Sequence, residues 1–452
     1  MTLVAAGRTY PGPTGPALLR SLWQLGRDRL GLMTSAARYG DAVRLGAGPR
    51  ALYFFNHPDH AKHVLADNSQ NYTKGLGLVH ARRALGDGLL TSEGELWRKQ
   101  RRVIQPVFQA KRIAGQAHAV AEEAERLIAR LRARRGAGVV NLTDEFTALT
   151  LGVLGRTLLD ADLDAFTTVG AAFEEMQNQA MFEMASMSMV PMWVPLPQQL
   201  RFRRARRELE RIVGRLVADR TARGDVAGAD DALSRLIAST RDEPDPRVAR
   251  QRMRDELVTL LLAGHETTAS TLGWTFHLVD RHPWVRRRLR EEAVEVLGDR
   301  PPEYADLARL TYTKMVVSEA MRLYPPVWML SRRARGADVV DGYRVPAGAD
   351  VLICPYTLHR HPAFWPEPER FDPARFDPEA TADRPRYAYV PFGAGPRFCV
   401  GNHLGLMEAV FVVAMVSREF ALVAPAGQRV VAEPMLSLRV RGGLSMTVQP
   451  AI

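Results

Sequence analysis

Phe392-Gly393-Ala394-Gly395-Pro396-Arg397-Phe398-Cys399-Val400-Gly401 sets a cysteine among glycines, after Tyr389-Val390-Pro391 and before an apolar helical run. Glycine has no Cβ, so at positions 393 and 395 the backbone can come close to a flat ligand and turn its amides toward the Cys399 sulfur. Those amides, with the N-terminus of the helix that follows, stabilise a thiolate. Arg397 can meet an anion beside it. The plain alternative is a buried, inert cysteine in a Gly-rich turn, which suffices for a lone Cys but not for the whole pattern. Zinc is disfavoured, because Cys399 and His403 have no second pair at ligand spacing.

Working outward, Ala263-Gly264-His265-Glu266-Thr267-Thr268 sits in an apolar stretch whose periodicity predicts a helix from about Arg254 to Arg281, closed by His282-Pro283. Such a helix is about 40 Å long and can cross a core. Gly264 in mid-helix costs roughly 1 kcal/mol relative to Ala, so a use is expected for it: room beside the helix. Thr267 can bend the ladder by bonding a carbonyl one turn back. An acid beside a hydroxyl in such a notch can relay protons, or Glu266 is a satisfied buried carboxylate next to a helix-bending Thr. In Glu319-Ala320-Met321-Arg322 the two charges share a helix face. In Trp97-Arg98-Lys99-Gln100-Arg101, Trp97 and Arg101 share another, and Ser92-x-x-Glu95 has the form of a capping box.

These segments, in this order, resemble the cytochrome P-450 family, and the likeness covers nearly the whole chain. It implies a mostly α protein with small β-sheets: the cytochrome P-450 fold, a single domain over residues 1–452, with heme between the long central helix and the Cys399 loop. Heme b would be the cofactor and Cys399 the metal ligand, its axial thiolate. Phe392, Gly393, Arg397 and Gly401 are the loop positions at the heme. Trp97, Arg101 and Arg332 match propionate-binding positions, for which an indole N–H and guanidinium groups are suitable donors; Arg333 competes with Arg332. Glu266 and Thr267 would be the catalytic pair that delivers protons. Glu319 and Arg322 match a buried structural network whose third member is Arg375 by spacing, although Ala374 stands where the family has Glu and Pro368-Glu369-Arg370-Phe371 is a competing match. Many bacterial relatives carry His in place of Trp97, so the chain leans toward the fatty-acid- and terpenoid-type branch.

The implied reaction inserts one oxygen atom of O2 into a hydrophobic small molecule of terpenoid, fatty-acid-like or polyketide-like type, in secondary metabolism. Electrons would come from NAD(P)H through a separate acidic ferredoxin and its reductase, with Arg98, Lys99, Arg102, Lys111 and Arg112 as a docking patch. A peroxygenase or isomerase would lack the intact acid–Thr pair, and a heme sensor would need no proton relay. The crowd Met176, Met181, Met184, Met187, Met189 and Met192 reads either as adaptable core or as a lid over the substrate. The loop 76–90 and the stretch 327–330 would complete the pocket wall.

Composition bounds the rest. Apolar residues make up 46% of 452, enough for a large core, and no Gly/Ser tract or repeat marks a linker. The net charge of +11 is carried almost entirely by Arg. Its densest run, Arg201 to Arg211, precedes and overlaps an apolar face of Leu209, Ile212, Val213 and Leu216, so it reads as the solvated side of an amphipathic helix rather than a nucleic-acid site. Two cysteines in so long a chain suggest a reducing compartment. With no signal pattern and no run of apolar residues long enough to span a bilayer, a cytoplasmic protein is expected.

Overall fold

A computed structural model describes residues 8–46, 48, 51–162, 168–224 and 231–451. The fold is mostly α with small β-sheets. The chain divides into two compact units, Met1–His80 with Arg322–Cys399, and Ala81–Met321 with Val400–Ile452.

The first unit is built on a five-stranded sheet in the order Ala42–Leu45, Leu52–Phe55, Asp350–Ile353, Leu330–Ala334, Tyr72–Lys74. The first two strands form an antiparallel pair, and Leu52–Phe55 then runs parallel to Asp350–Ile353. Asp350–Ile353 is buried along its whole length, as expected of a strand covered on both faces. Its inward side packs with Phe55, Val64, Leu65 and Leu358. Sequence patterning anticipates the strands at 42–45, 52–55, 343–345 and 350–353 to within a residue or so. It misses Tyr72–Lys74, whose three residues pair with Leu330–Ala334 far along the chain and carry too short a pattern to read locally.

The second unit is dominated by the helix Pro246–Asp280, 35 residues long and therefore about 52 Å. It starts about two turns before the expected Arg254. Asp245 accepts from the Arg247 amide at 2.8 Å while Pro246 sits in the first turn, a pairing that satisfies an orphan donor and presets φ. Residues 255–262 are almost entirely buried, and so are most of 271–279. The helix Leu142–Leu154 packs along it, and Asn402–Glu419, buried from Met407 to Ser417, also packs against it. The Arg-rich stretch forms Pro197–Ala222, with Leu209, Ile212, Val213 and Leu216 buried as the spacing requires. On its other side Arg201, Arg206 and Arg211 pair with Glu175, Glu210 and Glu208. Among the described residues no helix is long and apolar enough to cross a membrane.

Candidate active site

The cysteine loop closes on itself. The Cys399 amide donates to the Phe392 carbonyl at 3.0 Å and the Phe398 amide to the Gly395 carbonyl at 3.0 Å. Gly393 and Gly395 have φ of +71° and +65°, a region costly to any residue with a Cβ. At Gly395 a Cβ would also collide with the Leu65 carbonyl, so the glycine is required twice over. The Phe392 and Phe398 rings meet edge to face at 6.3 Å. At the end of this loop Cys399 is exposed, and so is Phe398 at 36%. Neither cysteine is in a disulfide.

Cys354 is the opposite case. It is wholly buried, its thiol donates to the Trp328 carbonyl at 3.1 Å, and burial pushes its pKa up to about 11. A thiol so placed stays protonated and makes a poor metal ligand. The donor set therefore fits a heme: one accessible sulfur in a loop whose conformation only glycine allows, with an aromatic side chain beside it.

Arg333 donates to Asp350 through two bonds, at 3.2 and 2.7 Å, and Arg332 donates to the Ser331 carbonyl at 2.9 Å. Arg322 is fully buried and donates to the carbonyls of His359, Pro368 and Arg370 at 3.0, 2.7 and 3.1 Å. Glu319 is fully buried as well. Arg375 donates to the Glu367 carbonyl at 3.0 Å, whereas Arg370 is exposed and paired with Glu367, which removes it as the buried match.

In the second unit, Trp97 and Arg101 lie on the helix Gly94–Ile104, both partly buried, while Arg98, Lys99 and Arg102 on the same helix are exposed. Arg101 Nε donates to Gln105 at 3.1 Å. The expected capping box is not formed: Glu93 holds the N-cap position, and the buried Ser92 hydroxyl donates to Gln100 instead. Gly401 is the N-cap of Asn402–Glu419. The segment 76–90 is not all loop; Leu76–Leu85 is helical. The loop beyond it is tied to the central helix, the Asp87 amide donating to Asp255 at 2.8 Å and the Leu89 amide to Glu256 at 3.1 Å. Of the methionines, Met176 and Met181 are core, while Met187 and Met189 are exposed.

The central helix carries the acid and the hydroxyl. Thr267 donates to the Ala263 carbonyl at 2.7 Å, the back-bond that sequence suggested. Thr271 and Thr275 repeat it at 2.9 and 2.7 Å. Gly264 does not open a notch, however. A Cβ there would collide with the Leu154 side chain, so the glycine's use is the close approach of Leu142–Leu154. His265 is buried against Phe173, with its Nδ1 bonded to the Leu261 carbonyl at 2.6 Å. Burial lowers its pKa to about 4, so it is neutral at physiological pH.

Burial raises the Glu266 pKa to about 6, against hydrogen bonds from Ser437 and Gln177 and the attraction of Arg439. The Ser437 hydroxyl donates to Glu266 Oε1 at 2.6 Å. Sequence reasoning missed Ser437, Gln177 and Arg439. No local pattern joins residues so far apart; only the i, i+4, i+8 spacing of Glu266, Ser270 and Trp274, polar atoms on one face of an otherwise apolar helix, could have suggested a partner there.

A mostly helical protein with one accessible thiol in a glycine loop and a half-buried acid–Thr pair on its central helix defines a class of heme-thiolate proteins. Comparison with known proteins bears on it directly. The family model for cytochrome P-450 matches residues 11–446. The chain is 36% identical to cyclooctatin synthase of Streptomyces melanosporofaciens, over 97% of this chain and 95% of that protein. Its identity to cyclooctat-9-en-7-ol 5-monooxygenase of the same organism is 34%, over 92% and 89%. With pentalenene oxygenase of Streptomyces avermitilis it is 32%, over 90% of each. The chain belongs to the cytochrome P-450 family and is a monooxygenase, an oxidoreductase.

Proposed function

We propose that this monooxygenase inserts one oxygen atom of O2 into a terpenoid hydrocarbon or terpenoid alcohol, with the whole chain acting as one catalytic domain. The observation that carries the reading is the contrast between the exposed Cys399 in its glycine loop and the buried, protonated Cys354. Cys399 would hold heme b through its thiolate, with Phe392, Gly393, Arg397 and Gly401 around it and Trp97, Arg101 and Arg332 on its propionates. When bound, heme supplies the activation of dioxygen, and a thiolate ligand favours O–O cleavage by its electron donation. Glu266 and Thr267 supply protons. The carboxyl of Glu266, with a pKa of about 6, can both hold and release a proton near neutrality. The terpenoid class is supported by relatives that act on terpenoids.

The test is turnover of a panel of terpenoid hydrocarbons and alcohols under labelled dioxygen, after selecting compounds that shift the heme spectrum on binding. One labelled oxygen per product molecule is expected. Product that carries no labelled oxygen would sink the reading in favour of a peroxygenase or an isomerase, and spectral binding without turnover would do so in favour of a sensor.

Electrons are proposed to come from NAD(P)H through a reductase and an acidic ferredoxin in the cytoplasm. Lys99, Arg102 and Lys111 are exposed, and Arg98 is exposed although paired with Glu95. Such charges steer an acidic partner and raise its association rate in a salt-sensitive way. Changing Lys99 and Arg102 to Glu should slow reduction about tenfold at low salt, with the carbon monoxide spectrum unaltered. Rates that respond neither to these changes nor to ionic strength would place docking elsewhere.

A further inference from the structure

The central helix presents two neighbouring polar stripes. Thr267, Thr271 and Thr275 each turn a hydroxyl back to the carbonyl four residues earlier. Glu266, Ser270 and Trp274 all reach instead to the segment around the two-stranded hairpin Ala432–Pro434 and Leu438–Val440. Ser437 donates to Glu266 at 2.6 Å, and Ser270 and Trp274 donate to the Leu438 carbonyl at 2.6 and 2.8 Å. Ser437 is itself buried, in the connection between the two strands. Gln177, from the helix Val169–Ala185, donates a further hydrogen bond to the carboxylate. The acid is therefore fixed on the hairpin's side of the helix, one residue round from the threonine stripe.

We propose that Ser437 is a positioning residue for Glu266: its hydroxyl holds the carboxylate on the hairpin, and release from Ser437 frees the acid to pass a proton toward Thr267. The proposal rests on the reading of Glu266 as a proton donor. The step breaks and makes only O–H bonds: the proton leaves a Glu266 oxygen for a hydroxyl or water oxygen, and solvent restores it. A carboxylate that accepts a short hydrogen bond is stabilised in its ionised form. Ser437 therefore opposes the burial that pushes the Glu266 pKa up to about 6.

Arg439 is the charge that acts on the carboxylate. The hairpin brings Arg439, itself paired with Glu433 at 2.9 Å and with Glu174 of Val169–Ala185 at 3.6 Å. On the central helix the adjacent His265 has its pKa lowered to about 4. Glu408, on the Asn402–Glu419 helix that packs against the central helix, has its pKa raised by burial well above the usual carboxylate range. The helix Leu142–Leu154 approaches Gly264 through the apolar Leu154.

Infrared difference spectra of the ferric holoenzyme, titrated from pH 5 to pH 8, would follow the carboxyl band lost in Glu266→Gln. Because removing a donor disfavours the ionised form, Ser437→Ala should raise the midpoint by about one unit. Gln177→Leu, on a separate helix, should raise it in the same direction. Ser437→Thr keeps a hydroxyl and should restore the wild-type midpoint. The solvent deuterium isotope effect on coupled turnover should fall in Ser437→Ala, since the acid no longer has to leave its holder. An unchanged midpoint with an intact carbon monoxide spectrum overturns the proposal, as does a Thr variant that behaves like Ala. A Glu266→Gln enzyme with wild-type coupling overturns the proton-delivery reading itself, whatever the band does in the Ser437 variants.

Discussion

Cys399→Ser is expected to abolish the red-shifted Soret band of the reduced, carbon monoxide-bound protein, and Cys354→Ser to leave it in place. Only Cys399 is exposed, at the end of a loop whose two positive-φ glycines fix its course. Cys354 lies in the core with its thiol bonded to the Trp328 carbonyl and its pKa near 11, so at neutral pH the thiolate is about one part in ten thousand of the population. A serine at position 399 cannot supply the electron donation that favours O–O cleavage, and product formation should fall by roughly three orders of magnitude or more. The measurement is the carbon monoxide difference spectrum of both variants alongside heme content. A thiolate-type band surviving in Cys399→Ser, or lost in Cys354→Ser with normal heme content, would transfer the ligand role and undo the reading of the loop.

How much of this was legible beforehand depends on the range of each interaction. The glycine loop and the Thr267 back-bond are local, involving partners within a few residues, and the sequence carries both. The central helix was readable in its apolar middle but not at its start. Its first two turns are polar and are defined by the Asp245–Pro246 cap rather than by periodicity. Gly264 was read as an opening because a missing side chain leaves space; only the packing shows Leu154 filling it. Ser92 has a capping residue's chemistry, yet a partner eight positions on captured its hydroxyl. Ser437 is 171 positions from Glu266, and nothing in either local sequence names the other. Chemistry set by short-range backbone geometry was visible, and chemistry set by tertiary neighbours was not.

That distinction sharpens what Thr267 should do. Its hydroxyl proton is committed to the Ala263 carbonyl at 2.7 Å, so in the resting structure the oxygen is left to accept a hydrogen bond rather than donate one. A group that accepts beside a reacting centre can order a water or hold a protonated species long enough for productive proton delivery. Thr267→Ala removes that acceptor without touching the Cys399 loop. The expected outcome is unchanged heme binding and an unchanged substrate-induced spectral shift. Most reducing equivalents should be lost as hydrogen peroxide, with product per electron down about tenfold or more, within the range general acid–base groups contribute. Thr267→Ser keeps the oxygen and should recover most of the coupling. Thr271→Ala, which removes the same kind of back-bond one turn on, controls for altered helix bending and should stay near wild type. Peroxide and product measured against nicotinamide consumed decide the matter. A wild-type yield per electron in Thr267→Ala would remove Thr267 from the mechanism, and equal uncoupling in Thr271→Ala would assign the effect to the helix rather than to the hydroxyl.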